Sequence, residues 1–457
     1  MMKQLWLVFV WLLSCFSLSN QLDPNKRFPS PYGEKEKESK FWYSKAEEEL
    51  KTALSRRFNT KTAKNVIIFL GDGMGVTVST VGRIYKGQKK GFSGAEEYLA
   101  WEKFPDVSLI KTYNIDKQVP DSASTATAYL CGVKGNHKTI GVNANVQANN
   151  CTASLDPENR PDSILKWSQD VGKGTGVVTT TRITHATPTG TYGHIPHREW
   201  ECDSSLPQEA KVKGCKDIAR QLVEDLPGKN INVLLAGGRD PMGATLQEDG
   251  ESSCKREDGR NLADEWISDK TKAGKSAVYV TNTEEFREVD PAKEDYILGL
   301  FKGSHMDYSY YRDKSPKGSP SIKEMTELAI KRLQREPKGF FLLVEGGKID
   351  VAMHATKPRL ALDDLVDFDE AVQAALNLVD LEETLVIVTA DHSHTMTMNG
   401  YPSRDNNILG TTTYEWVTDK MPYTTLLFTD GFRSNFHLGW QTALKGGEYC
   451  RLNMQQL

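Results

Sequence analysis

Val66-Ile67-Ile68-Phe69-Leu70-Gly71-Asp72-Gly73-Met74-Gly75 joins an unbroken apolar run to a glycine-rich turn that carries one carboxylate. A strand covered on one face alternates apolar with polar residues, so an unbroken run predicts a strand buried on both faces. Runs of the same kind are Val107–Tyr113, Gly176–Thr180, Asn232–Ala236, Ala277–Val280, Phe340–Val344 and Leu385–Thr389. Helical patterns separate them at Tyr43–Arg57, Ser124–Leu130, Lys216–Leu226, Ile322–Gln334 and Leu360–Leu378. The alternation predicts an α/β fold: a mostly parallel central sheet with helices on both faces. Such sheets carry their sites on loops beyond the carboxyl ends of the strands. The polar residues follow that rule. Asp72 ends one strand, His185 and Thr187 follow another, Glu345 and Asp350 a third, and Asp391 and His392 a fourth.

Each segment has a plain reading beside a chemical one. Asp72 is a lone carboxylate aimed out of the sheet, though an Asp in a strand-end turn is structurally common. In Glu345-Gly346-Gly347-Lys348-Ile349-Asp350, His354 lies four residues past Asp350. On a helix the two share a face and suit one metal ion, or form an exposed pair of little energy. Asp391-His392-Ser393-His394 follows a buried strand, and packing does not explain two histidines and an acid there. Imidazole and carboxylate are zinc donors. Pro120-Asp121-Ser122-Ala123-Ser124 opens a run of small helix formers, which places Ser122 at a helix N-terminus where an anion is favoured. Ser122 is an ordinary cap or a nucleophile, and with no base beside it a metal would have to activate it. Thr181-Arg182-Ile183-Thr184-His185-Ala186-Thr187 adds a histidine and a hydroxyl. Arg198, in His194-Ile195-Pro196-His197-Arg198, offers a planar fork suited to two phosphoryl oxygens.

The ends set the compartment. Met1 to about Ser19 holds one lysine, an apolar run from Leu5 to Leu13, and then small residues, the pattern of a cleaved secretory leader. The run is shorter than the roughly 20 residues of a membrane span. Asn150-Cys151-Thr152 is a glycosylation sequon, which suits a secreted, extracellular protein. Once Cys15 leaves, Cys131, Cys151, Cys202, Cys215, Cys254 and Cys450 remain, with no metal-binding Cys-x-x-Cys spacing. A net charge of −4 gives no sign of nucleic-acid binding. Gln247–Arg260, charged and glycine-containing, reads as a surface loop, and from about Thr395 the helix/strand rhythm gives way to an insertion or subdomain. The expected division is a leader at 1–19, a lead-in at 20–40, one catalytic domain at 41–431 and a divergent tail at 432–457.

Together these segments resemble the alkaline phosphatase family in its animal branch, from about Lys40 to Phe428. The resemblance implies a phosphomonoester hydrolase with two zinc sites and one magnesium site. Ser122 would be the nucleophile that becomes a phosphoserine, and Arg198 the phosphate clamp. Asp72, Asp391 and His392 would ligate the zinc that activates Ser122, Asp72 bridging to magnesium. Thr187 and Glu345 would bind magnesium, with His185 and Asp121 close behind the first ligands. Asp350 and His354 would hold the other zinc. The resemblance also implies a Cys151–Cys215 disulfide, a free Cys131, and a homodimer to which the helix around Tyr43–Arg57 contributes. A bond between Cys202 and Cys254 has no family counterpart.

The sequence also departs from the family. The family's Thr-His-Gly-Gly-Glu-Asp motif, which supplies a further histidine to the second zinc, is absent. His437 lies in Asn435-Phe436-His437-Leu438-Gly439, without those glycines or acids. The hydrophobic tail that directs a lipid anchor is missing too, so no anchor is expected. Phe301-Lys302 puts a cation where family members place an acid of a calcium site. Ser122-Ala123-Ser124 lacks the Cys/Ser-x-Pro-x-Arg segment of sulfatases, and a serine disfavours the phosphodiesterase relatives that use threonine. The alternative from another class is a secreted, non-catalytic or impaired phosphatase-like protein lacking one zinc ligand.

Overall fold

Asn65–Gly71 (β1), Gly174–Arg182 (β2), Val233–Gly237 (β3), Ala277–Val280 (β4), Tyr296–Leu300 (β5), Phe340–Gly346 (β6) and Thr384–Thr389 (β7) form one sheet. Every pairing in it is parallel, in the order β4-β5-β3-β2-β6-β1-β7. The structure is a computed structural model and describes residues 26–250, 254–412 and 422–428. The expected leader, the start of the lead-in, the tail, His437 and Cys450 lie outside the described residues.

The unbroken apolar runs are explained by two cores. Ile67 and Phe69 of β1 enter one core with Val178, Leu342 and Val344, while Ile68 and Leu70 enter the other with Val177, Phe341 and Leu343. Successive side chains point to opposite faces, so a strand buried on both must be apolar throughout. The first face is covered by the helices Val76–Lys89, Ile322–Leu333 and Pro358–Leu378, the second by Ser122–Cys131, Ile218–Glu224 and Leu262–Lys272. Each such buried Ile, Leu or Phe contributes about 1.5–3 kcal/mol. Register then levels the strand ends. Leu70 pairs with Glu345 and with Thr389, and Thr179 pairs with Glu345. The loops after β2, β6, β1 and β7 therefore open on one rim.

Two expectations are corrected, and one strand carried no expectation. Val107–Tyr113 is not a strand: it has no ladder partner among the described residues, and Val107 and Leu109 are 97% and 88% exposed. An apolar run becomes a strand only when a neighbour takes its backbone bonds. β7 is buried on one face only, since Leu385 and Ile387 are exposed while Val386 and Val388 pack on the core. β5 went unread because Gly299 interrupts a short run. A Cβ there would lie 2.7 Å from Leu235, so the glycine lets β5 slide between β4 and β3.

Beyond Thr395 the rhythm does change, to two small antiparallel ladders, Met396–Met398 with Leu426–Phe428 and Thr411–Thr412 with Tyr423–Thr424. The described residues of the loop at Gln247–Arg260 are tied down more firmly than its charge suggested. Asp249 pairs with Arg239 out of solvent, and Arg256 pairs with buried Asp217. Disulfides join Cys151 to Cys215 and Cys202 to Cys254, and Cys131 is a buried free thiol whose pKa burial pushes up to about 12.

Candidate active site

Ser122 begins the helix Ser122–Cys131, and the extended backbone of Asp121 precedes it. Its hydroxyl points along the rim rather than into its own helix. Ser122 Oγ donates to Asp72, 3.2 and 3.3 Å from Oδ1 and Oδ2, and stands 3.2 Å from His392 Nε2. His392 Nδ1 is 3.0 Å from the Ser393 carbonyl, which only accepts, so Nδ1 carries a proton, while Nε2 lies 3.1 Å from Asp391 Oδ2. Burial would lower the His392 pKa, but Asp391 and Asp350 outweigh it and raise it. Asp391 is fixed by Gly73 N–H (3.1 Å), its neighbour His392 N–H (2.8 Å) and Thr125 Oγ1 (3.1 Å).

The glycines around Asp72 are there for close approach. Gly73 has φ +66, and a Cβ on it would sit 2.7 Å from Asp350 Oδ1. A Cβ on Gly75 would meet Ser393 Oγ at 2.0 Å. Only glycine lets the loops after β1, β6 and β7 close together.

Arg198 enters from the β2 side. It donates to Asp121 Oδ2 at 3.3 Å and to His185 Nε2 at 3.0 Å. Arginine has no acceptor, so His185 Nε2 is unprotonated and the ring is neutral. Burial, then Arg198, hold its pKa well below the usual histidine range. Burial alone would raise Asp121, but Arg198 and the Lys138 N–H outweigh it and keep the carboxyl ionised. Behind His185 stands His305, edge-on at 5.1 Å between centroids and itself hydrogen-bonded to Arg182. No sequence pattern pointed to His305.

Glu345 is fully buried. Its Oε2 accepts from Thr179 and from Thr181 Oγ1. Burial raises its pKa to about 7 against those hydroxyls. Asp72 is also raised, well above the usual carboxylate range, by burial and then by Asp391, Asp350 and Glu345. Asp350 moves the other way: burial would raise it, but His354, 3.3 Å from Oδ2, wins.

These residues fit metal ions. Asp72, Glu345, Asp350 and Asp391 crowd buried negative charge into one place, and buried charge persists only when paired or coordinated. Asp350 Oδ1 is buried without a hydrogen-bond partner among the described residues, and Thr187 stands against Glu345. Three groups have ligand atoms within 4.8 Å of one another: Asp72, His185 and Glu345; Asp72, Asp350 and His392; and Asp350, His354 and His394. The last brings in His394, which the sequence flagged in its motif but the resemblance left without a role. Its Nε2 is 3.7 Å from Asp350 Oδ1, and its side chain is 5% exposed. Ser122, Asp72, His185, Arg198, Glu345, Asp350, His354, Asp391 and His392 thus come together on this rim. Asn150 is elsewhere, exposed, capping the short helix Cys151–Leu155.

A family model for alkaline phosphatase matches residues 63–445. The tissue-nonspecific alkaline phosphatases of Felis catus and Homo sapiens are 46% and 45% identical over 405 residues, 87% of this chain and 76% of each of those proteins. The membrane-bound alkaline phosphatase of Bombyx mori is 43% identical over 402 residues, 87% of this chain and 72% of that one. Among solved structures, alkaline phosphatase from Thermus thermophilus aligns with a TM-score of 0.59 at 25% identity, over 76% of this chain and 63% of that one, less than two thirds of its length. The enzyme from the Antarctic bacterium TAB5 gives 0.56 at 25%, over 76% and 84%. With the family matched across most of its length and the sheet and rim that its motifs imply, this chain belongs to the alkaline phosphatase family.

Proposed function

We propose that this chain hydrolyses phosphomonoesters through a phosphoserine on Ser122. The observation that carries the reading is Ser122 Oγ set between Asp72 and His392 at a helix start. Helix N–H groups and Arg198 receive the phosphoryl oxygens, the arginine held in plane by Asp121 and His185. Ser122 Oγ bonds to phosphorus as the bond to the ester oxygen breaks, and the proton given up by the serine hydroxyl ends on the departing alcohol. Water then cleaves the phosphoserine and the hydroxyl is restored.

Asp72, Asp391 and His392 would hold one zinc. Asp350 and His354 would hold a second, with His394 within reach, and Asp72, Thr187 and Glu345 would hold magnesium with His185 adjacent. Bound there, metals supply a lowered pKa for the serine hydroxyl and compensation for developing negative charge. The buried oxygens of Glu345 and Thr187 suit magnesium, a hard cation.

Two disulfides support an extracytoplasmic location. No helix among the described residues is long and apolar enough to cross a membrane. The helix Ser39–Ser55 buries none of its residues and exposes Trp42, Tyr43, Leu50 and Leu54, which supports packing against a second copy.

Trapping with labelled phosphate in mild acid tests the reading. The metal-loaded protein should take up label on the peptide containing Ser122, and Ser122→Ala should take up none. Label surviving in that variant overturns the assignment.

A further inference from the structure

Lys138 has φ +67, in the left-handed region where glycine sits freely and a lysine is strained. The conformation joins two parts of the site. The Lys138 N–H donates to Asp121 Oδ1 at 3.0 Å, and its carbonyl accepts the Arg198 N–H at 2.8 Å. Glycine would make both bonds without strain, so the backbone does not explain why a lysine stands here. Strain kept at a site points to work done by the side chain.

That side chain is 39% exposed, and Nζ lies 3.7 Å from Glu199, which is 71% exposed. So open a pair is weak and gives way to a better anion. Its neighbour His137 has Nδ1 3.6 Å from Asp121 Oδ1 and its backbone N–H on Asp116. Asp121 is already engaged by Arg198 and by Ser124 Oγ, so it does not neutralise the ammonium. The rim beside Arg198 thus carries an ammonium held by an open, weak pair with Glu199, with an imidazole next to it.

We propose that Lys138, assisted by His137, binds a second anionic group of the substrate, favouring phosphomonoesters that carry another phosphate or a carboxylate near the transferred phosphoryl. The proposal rests on reading Ser122 and Arg198 as the phosphoryl site. Lys138 is a specificity residue: it selects the substrate and takes no part in bond making.

The test compares phenyl phosphate, carboxyphenyl phosphate and phenylene bisphosphate on the metal-loaded protein, Lys138→Gly and Lys138→Glu. Glycine keeps the backbone geometry. The kcat/KM of the doubly anionic substrates relative to phenyl phosphate should fall about tenfold in the glycine variant and further in the glutamate variant. The bisphosphate and carboxylate arms show which second group is read. A purely structural lysine would lower all three alike, and unchanged ratios overturn the proposal. If phenyl phosphate is not turned over at all, the phosphoryl-site reading fails instead. Calorimetric binding of pyrophosphate against orthophosphate then decides the role of Lys138. A pyrophosphate preference lost in Lys138→Gly supports it, and the same preference in both proteins overturns it.

Discussion

Ser122 Oγ and His392 Nε2 lie 3.2 Å apart across 270 residues of sequence. Two unrelated pieces of local structure make that contact. The helix Ser122–Cys131 starts at its serine, and β7 ends three residues before its histidine. The parallel register of β1 with β7 and β6 then brings the loops level. The site is thus a property of the sheet, and its weak points lie where single residues hold the loops in place.

Arg198 is one such point. Its fork is spread between Asp121 and His185, a geometry that lysine cannot copy. Arg198→Lys should lower kcat/KM for a phosphomonoester about 10- to 100-fold, the weight of one or two charge-assisted hydrogen bonds. Inhibition by inorganic phosphate should weaken in parallel. Steady-state kinetics with phosphate as competitor checks both.

His394 should matter to the metal proposed at Asp350 and His354. The Thr395 N–H donates to its Nδ1 at 3.0 Å, which leaves the proton on Nε2, facing Asp350 Oδ1. Whether it supports that carboxylate or turns to bind the metal, its loss removes a group that fixes the site. His394→Ala should weaken one zinc about 10- to 100-fold and leave the Asp72/Asp391/His392 site loaded. Zinc titration against a competing chelator reads this without any assay of turnover. Loss of both zincs, or of neither, would contradict it.

Much of this was legible because a buried parallel strand followed by a polar turn is a strong local signal. Asp72, Asp391 and His392 stand just past such strands, and Glu345 is the one acid inside β6, next to its last residue. Val107–Tyr113 misled because strand formation needs a partner, and no local pattern reports whether one is present. His305 and Lys138 were unreadable for another reason. His305 matters through an edge-on ring contact with His185, and Lys138 through its backbone angle, and neither leaves a spacing in sequence.

Glu224 should govern part of the acid stability. Burial would raise its pKa, but Arg220, Arg260 and Lys216 outweigh that and lower it from 4.5 to about 2. A lowered carboxylate stabilises the fold fully above its unfolded value and loses that contribution as pH falls toward the folded one. Between about pH 4.5 and 2, Glu224→Gln should therefore show a shallower loss of stability than the parent. Urea midpoints across that window check it, and parallel curves would rule it out.

Thr356 has φ +54 just beyond the helix Lys348–His354, where its N–H closes on the Met353 carbonyl and the Lys357 N–H on Ala352. This is a helix C-terminus that glycine usually ends, and a β-branched residue there is strained by about 1–2 kcal/mol. Glycine costs about 0.4–1 kcal/mol through the freer unfolded chain, so the relief should win. Thr356→Gly should raise Tm by about 1 °C in calorimetry. A fall in Tm would mean that the threonine side chain makes a contribution larger than its strain.

The helix Ser39–Ser55 poses the last question. Leu50 and Leu54, one helical turn apart, are 58% and 77% exposed, and Trp42 is 53% exposed. Within its own chain the helix is tethered by little more than its ends. Trp42 Nε1 donates to the Glu36 carbonyl, Arg56 donates to the Pro105 carbonyl, and its neighbour Asn59 reaches the Glu382 carbonyl. An apolar face left open in this way is stable if a second copy covers it. If the proposed dimer forms through this helix, Leu50→Glu with Leu54→Glu should convert it into a monomer in sedimentation equilibrium. The catalytic rim lies elsewhere, so circular dichroism and the metal content of each chain should stay as in the parent. If the paired substitution leaves the sedimenting mass unchanged, this helix is not the dimer contact, and its exposed face has to be explained within the chain itself.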